Sequence, residues 1–154
     1  MLRPLTALLI AGVVAASAPM RAETPEIAPI TLQPITEVPS ELRGKWQVVA
    51  IRDEAGVTAV AAEEPAMTIV FNGDGFGLSA GCNGAGGDLF ARDGAHHVVD
   101  DMFSTMKLCP DPLDRQERRL WRAFPEDGHY HRIGQYLYLF DGDGQLSLAL
   151  SKAN

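Results

Sequence analysis

The chain has little of what several protein classes require. Two cysteines in 154 residues cannot knit a disulfide-dense scaffold, so the fold has to rest on an apolar core. Basic residues are in deficit: 13 Lys and Arg stand against 20 Asp and Glu, a formal charge of −7. That balance argues against a nucleic-acid binder, whose affinity comes from cations laid along phosphates. After the first twenty-odd residues no apolar run is long enough to cross a bilayer as a helix. Gly-x-x-x-x-Gly-Lys-Ser/Thr is missing, which removes the phosphate-loop signature, and neither Ser104 nor Thr105 has a Gly-x-Ser-x-Gly setting. Proline (10) and glycine (15) are plentiful, and together they disfavour a helical bundle and demand many turns.

Met1-Leu2-Arg3-Pro4 precedes an apolar run from Leu5 to Ala18, interrupted by Thr6 and Ser17. A positive start, a short apolar stretch and small residues after it predict a signal peptide over residues 1–22. The expected cut follows Met20-Arg21-Ala22 and leaves Glu23 in front; a cut after Ala18 would set Pro19 beside the scissile bond. Neither site is followed by a cysteine that could carry a lipid. Losing Arg3 and Arg21 takes the 13 basic residues to 11 against 20 acidic ones, a mature charge of −9. The expected location is periplasmic or secreted. Residues 23–41 carry Pro25, Pro29, Pro34 and Pro39 and predict an extended linker.

From Leu42 the apolar pattern is mostly of period two. Trp46, Val48 and Ala50 alternate with Gln47 and Val49, and Met67, Ile69 and Phe71 alternate with Thr68 and Val70. Asn72-Gly73-Asp74-Gly75 tolerates positive φ and predicts a hairpin returning along Phe76–Ala80. His129–Ile133, Tyr136–Phe140 and Leu146–Leu150 predict three further strands, with turns at Gly134 and Asp141–Gly144. One helix is expected between an Asp111 cap and Pro125, with Pro112 in its first turn. Leu113, Leu120, Trp121 and Phe124 fall on one face, while Arg115, Arg118, Arg119 and Arg122 fall on the other beside Asp114 and Glu117. The expected fold class is mainly β (α+β): a compact antiparallel curled sheet, or small β-barrel, with one helix packed against it.

Four ordered groups of residues carry a resemblance. Leu42, Gly44 and Trp46 open the folded region, and Gly81-Cys82-Asn83 sits at its middle. Thr105 and Cys109, spaced Thr-x-x-x-Cys, precede the helix; Tyr136-Leu137-Tyr138-Leu139 and Leu146-Ser147-Leu148 close the chain. This set resembles the META domain, or HslJ-like, family over residues 42–151. The resemblance implies a β-barrel-like domain with one helix, a link with envelope and stress phenotypes, and no established catalysis.

The chemistry-bearing residues fit that picture. In an oxidising compartment Cys82 and Cys109 are expected to bridge; two buried thiols acting as small core residues are the alternative. Gly81, Gly84, Gly86 and Gly87 read as turns or bulges before they read as an anion cradle. Gly81–Asp88 and Asp141–Gly144 are then loops free to meet a partner. His129 and His131 share a strand face, but a third ligand would have to come from Asp100 or Asp101, so no metal or other cofactor is expected. Neither Ser104, Thr105, the His96-His97 pair nor Asp100-Asp101 assembles a nucleophile, base and orienter, so an enzyme is not expected. Arg115, Arg118, Arg119 and Arg122 are the candidate partner-binding set, for an acidic protein or anionic envelope lipid; a solvated helix face is the plain alternative. The expected function is an exported, monomeric, non-enzymatic binding or assembly factor in the envelope stress response. The alternative is an inhibitor of an extracellular hydrolase, protease or lysozyme, acting through an exposed loop.

Overall fold

Strands form here wherever alternate side chains can bury on one face. The computed structural model describes residues 33–60, 65–91 and 96–153; the expected signal peptide, 1–22, and residues 23–32 of the expected linker lie outside the described residues. In chain order the elements are β1 (Gln33–Pro34), β2 (Gly44–Asp53), β3 (Gly56–Ala59), β4 (Thr68–Asn72), β5 (Gly75–Ser79), β6 (Gly84–Ala91) and β7 (His96–Ser104). The helix α1 (Asp111–Ala123) follows, then β8 (Asp127–Ile133), β9 (Tyr136–Asp141) and β10 (Leu146–Lys152).

All the strand pairs are antiparallel, in the order β6-β5-β4-β2-β10-β9-β8-β7, and the sheet curls until β6 also pairs with β7. The short β1 prolongs the β5 side of β6, and β3 prolongs the β4 side of β2. Closure is uneven. Register pairs join β7 to β6 from His97 to Ser104, but to β8 only at His96, His97 and Val98. Beyond Val99, whose N–H reaches Glu126 O, that second edge of β7 has no strand beside it among the described residues.

The inside is apolar and continuous. Trp46, Ile51, Ile69, Leu137, Leu148 and Leu150 are fully buried, and Leu120 and Phe124 bring the helix into the same cluster. Phe124 stacks on Phe76 with ring centroids 4.6 Å apart. The helix lies across the end of the sheet where β2, β5, β7 and β9 finish: Gln116 Nε2 donates to Pro65 O (2.8 Å) and Ala80 O (3.2 Å). The apolar face expected of α1 is therefore the face that packs, with Trp121 half-buried against the core.

Several expectations are corrected in detail. Ala50 does not continue the buried row after Val48; Ile51 does. Leu148 pairs with Ile51, Ala149 with Ala50 and Leu150 with Val48, so Val49 is an extra residue in a β-bulge that moves the pattern by one. Asp111 is the first residue of α1 and not its cap; Pro110 holds the cap position with no side-chain bond. Gly81–Asp88 is not a free loop, because β6 begins at Gly84 and Ala85, Gly86 and Gly87 are buried. The strands need glycine there for closeness: a Cβ on Gly86 would stand 2.6 Å from Phe76 O. The end of the proline-rich segment also lies on the sheet. Val38 N–H donates to Gly73 O, and the Val38 side chain is buried.

At the end opposite the helix, Trp46 is shut in by Leu42, whose carbonyl accepts from Trp46 Nε1 at 2.5 Å, and by Lys152 Nζ, 4.5 Å from the ring centroid. Nearby, Tyr130 Oη donates to Glu41 Oε1 (3.0 Å) and ties β8 to the turn before β2. Burial first, then the Glu41 carboxylate, push the Tyr130 phenol up to about 12 from 10.0. Glu41 is held below its usual 4.5, first by its own backbone N–H and then by the Tyr130 hydroxyl. The Tyr130 contribution to stability is therefore whole below pH 10.0 and is lost as pH rises through about 12, whereas that of Glu41 is present above pH 4.5 and is lost on acidification. Phenolate absorbance should show one tyrosine ionising late, and Tyr130→Phe should abolish that step. In the same variant the Glu41 carbon resonance should titrate at higher pH, but only partway, because its largest cause remains.

Candidate functional site

The middle and third groups of the sequence pattern meet under the helix. Cys82, just before β6, and Cys109, just before α1, form a disulfide with Cα atoms 6.0 Å apart, closing a separation of 27 residues. The bridge, of the two open readings, is the one found. Asn83 lies beside it and is 6% exposed. Its side-chain oxygen accepts from Lys107 N–H (2.8 Å) and from the Thr105 hydroxyl (3.0 Å). Its side-chain nitrogen donates to Lys107 O (3.1 Å) and to Glu117 Oε2 (3.0 Å), and its backbone N–H donates to Glu117 Oε1. The Thr105 hydroxyl also accepts from Gly84 N–H at 3.1 Å.

Glu117 is the residue that sequence reasoning misplaced. It was expected in solvent among the arginines, yet it is 3% exposed and points at Asn83. The signal was available: Leu113, Glu117, Leu120, Trp121 and Phe124 recur at helical spacing, so a charge stands inside the apolar stripe. A buried carboxylate is tolerated only when donors meet it, and Asn83 supplies two. Cys82, Cys109 and Glu117 also bring three ligand-type atoms within 4.8 Å of one another. With both sulfurs in the bridge and the carboxylate on Asn83, this cluster works as a clasp joining β6, the segment 105–109 and α1.

Gly81 completes it. Its φ is +102°, and a Cβ there would collide with the Pro65 side chain, so only glycine fits on two counts. The opening group is elsewhere: Leu42, Gly44 and Trp46 sit at the opposite end of the sheet, and Gly44, at φ +114°, leaves room for the Lys152 ammonium. The closing group lies in β9 and β10, where Leu137, Leu139 and Leu148 supply core.

The four helix arginines do share one side, and with Arg52 they line a cleft of about 650 Å³ against the β2–β3 turn. Three of them are paired. Arg115 meets Asp111 at 3.4 Å, Arg118 meets Asp114, and Arg119 reaches Asp53 (3.0 Å) and the Thr58 hydroxyl. Arg122 is exposed and has no carboxylate partner among the described residues. Exposed pairs of this kind are each worth under about 1 kcal/mol. His129 stacks on Phe140, and His131, two residues on, is exposed; the side chains of Asp100 and Asp101 lie outside the described residues.

The third feature is apolar. Among the described residues, large apolar side chains are exposed at seven positions, and four of them, Met102, Phe103, Met106 and Leu108, fall within seven consecutive residues. Met106 and Leu108 stand fully in solvent, at 94% and 104%, on either side of the Lys107 peptide that Asn83 grips.

The clasp yields a test. Asn83→Ala strips the side-chain donor from a buried carboxylate, leaving it only the backbone N–H of residue 83, and takes two partners from Lys107; it is expected to destabilise by about 3 kcal/mol or more in urea unfolding. Glu117→Ala alone is expected to destabilise too, while the double variant should fall well short of the sum, because no carboxylate is then left unpaired. Additive losses would break the clasp interpretation. Replacing both cysteines by serine should remove about 3.5 kcal/mol in the chain-entropy account.

Comparison with known proteins agrees with the geometry. No curated protein matches the chain. Among solved structures, an NMR structure of a protein from Burkholderia xenovorans is 19% identical, with a TM-score of 0.57 over 89% of this chain and 99% of that one. A second NMR structure is 14% identical, with a TM-score of 0.52 over 71% of this chain and 89% of that one. At such identities the likeness is one of fold. The family profile of the META domain matches residues 40–154. The chain therefore belongs to the META domain family, the HslJ-like family that its ordered motifs resemble.

Proposed function

We infer that the protein is an exported, non-enzymatic partner-binding protein, a binding or assembly factor of the cell envelope under stress. The observation that carries this reading is the apolar group at the rim: Phe103, Met106 and Leu108 protrude from a segment that the Asn83 clasp and the Cys82–Cys109 bridge hold in place. Leaving apolar surface in water forgoes about 25 cal/mol per Å² of burial. A cluster of such surface on a small β domain marks a contact face. Because the segment is braced before any partner arrives, little conformational freedom is left to lose on binding.

Export is supported by the disulfide, which oxidising compartments preserve, together with the apolar N-terminal run. The envelope and stress assignment rests on what the family resemblance implies. A binding role is supported by the use made of the clasp's polar groups, since Thr105 and Glu117 both bond Asn83. Arg122 and the arginine cleft add a secondary contact for an acidic partner.

Expression of the full chain in a Gram-negative host checks both halves. The protein should reach the periplasm or medium with Glu23 leading and a mass two hydrogens below that of the reduced chain; a cytoplasmic product with free thiols would remove the export reading. A photo-crosslinking residue at position 106 should give a discrete adduct with an envelope component. No adduct from position 106 would remove the binding face.

A further inference from the structure

The rim segment has a backbone as well as side chains, and the backbone narrows what can cover it. Thr105 N–H donates to Gly84 O at 2.9 Å, continuing the β6–β7 ladder past Ser104. Two residues on, the Asn83 amide takes both the N–H and the C=O of Lys107, as a neighbouring strand would. This alternation is that of an extended chain, so the polar groups of Met106 and Leu108 face the other way. Those groups make no hydrogen bond to any described residue, and they lie on the side of β7 that β8 leaves bare beyond Val98. The result is an open strand edge flanked by Met106 and Leu108, protruding and braced from behind.

We propose that residues 103–108 are a docking strand for the substrate cleft of an extracellular endopeptidase, which they enter as a substrate-like, poorly cleaved segment. The proposal rests on the partner-binding reading and names the partner's class. Peptide recognition by strand addition requires what this edge offers: free main-chain donors and acceptors for affinity, and alternate side chains for pockets. Protruding side chains fit the pockets of a cleft, and Met-Lys-Leu presents two fully exposed apolar anchors about a cation. The Cys109 bridge and the Asn83 amide hold both sides of Lys107, so the segment is already in its bound shape.

Two other occupants fit less well. In a lipid surface the free N–H and C=O groups of Met106 and Leu108 would enter hydrocarbon without partners, at several kcal/mol each. A mature charge of −9, from 11 basic against 20 acidic residues, also opposes an anionic leaflet. A second copy, paired symmetrically about this edge, would set Lys107 against Lys107.

The test uses the oxidised full-length secreted protein against endopeptidases with trypsin-like, chymotrypsin-like, subtilisin-like and thermolysin-like specificity, each assayed on a chromogenic peptide. Near-stoichiometric inhibition of at least one is expected. Met106→Asp and Leu108→Asp should each raise its inhibition constant about thirtyfold or more, with the thermal midpoint unchanged because both positions are solvent-exposed. Reducing the bridge should weaken inhibition as well. Silence across the panel in large molar excess overturns the proposal, as does rapid cleavage within 103–108 or inhibition indifferent to Met106→Asp. Flotation with phosphatidylglycerol vesicles, or a dimer lost on Met106→Asp, would assign the edge to another occupant and also overturn it. If the position-106 adduct forms while the panel stays silent, the partner-binding reading stands and only the peptidase assignment falls.

Discussion

The contact on which most of this molecule depends is the one between the Asn83 amide and the Glu117 carboxylate. A charge this deeply buried cannot be left half-bonded, so it fixes the helix about its own axis. Once Glu117 is turned to Asn83, Leu120 and Ala123 must face the core, and Arg115, Arg118 and Arg122 must face water. The same amide seizes the Lys107 peptide on its other side. One side chain thus sets the rotation of α1, the start of β6 and the path of the segment between β7 and the helix. The disulfide shortens the unfolded chain's freedom nearby, but it does not orient anything as the amide does.

The second constraint is the offset of β8. Because Asp127 pairs with Val98, only the first residues of β7 gain a partner on that side. A strand edge without a neighbour is ordinarily short, charged or covered. Here it leads straight into the clasped segment and keeps Phe103, Met106 and Leu108 outward. Nothing in the core calls for those residue types at those places. The uneven closure and the apolar rim are one feature, produced by barrel geometry and exposed by the short β7–β8 joint.

What the sequence made legible follows physical lines. Strands buried on one face, such as Met67-Ile69-Phe71 and the Tyr136–Phe140 run, announce themselves by alternation, and the turns at Gly73, Gly134 and Gly144 by their glycines. β6 stayed hidden because its glycines look like turn formers, whereas they are there to let β5 and β6 approach. The Val49 bulge could not be read locally, since it exists only in the register against β10. Two arginine pairs, Arg115–Asp111 and Arg118–Asp114, were readable at i, i+4 spacing; Arg119–Asp53 needed the fold. Glu117 was the avoidable omission, because its place in the apolar stripe could be counted.

The clasp also explains why the sequence pattern of this family speaks of structure before it speaks of function. Gly81, Cys82, Asn83, Thr105 and Cys109 are all consumed in holding the frame: one by its φ, two by a bridge, two by a shared network. The positions that the spacing Thr-x-x-x-Cys leaves unspecified are Met106, Lys107 and Leu108, and these are the side chains that protrude. Residues there touch little of their own protein, so they can change without disturbing the core. A frame that fixes a backbone while leaving three neighbouring side chains open is suited to changing partners by substitution at the rim. For the partner-binding role proposed above, specificity is sought between the threonine and the cysteine, and stability on either side of them.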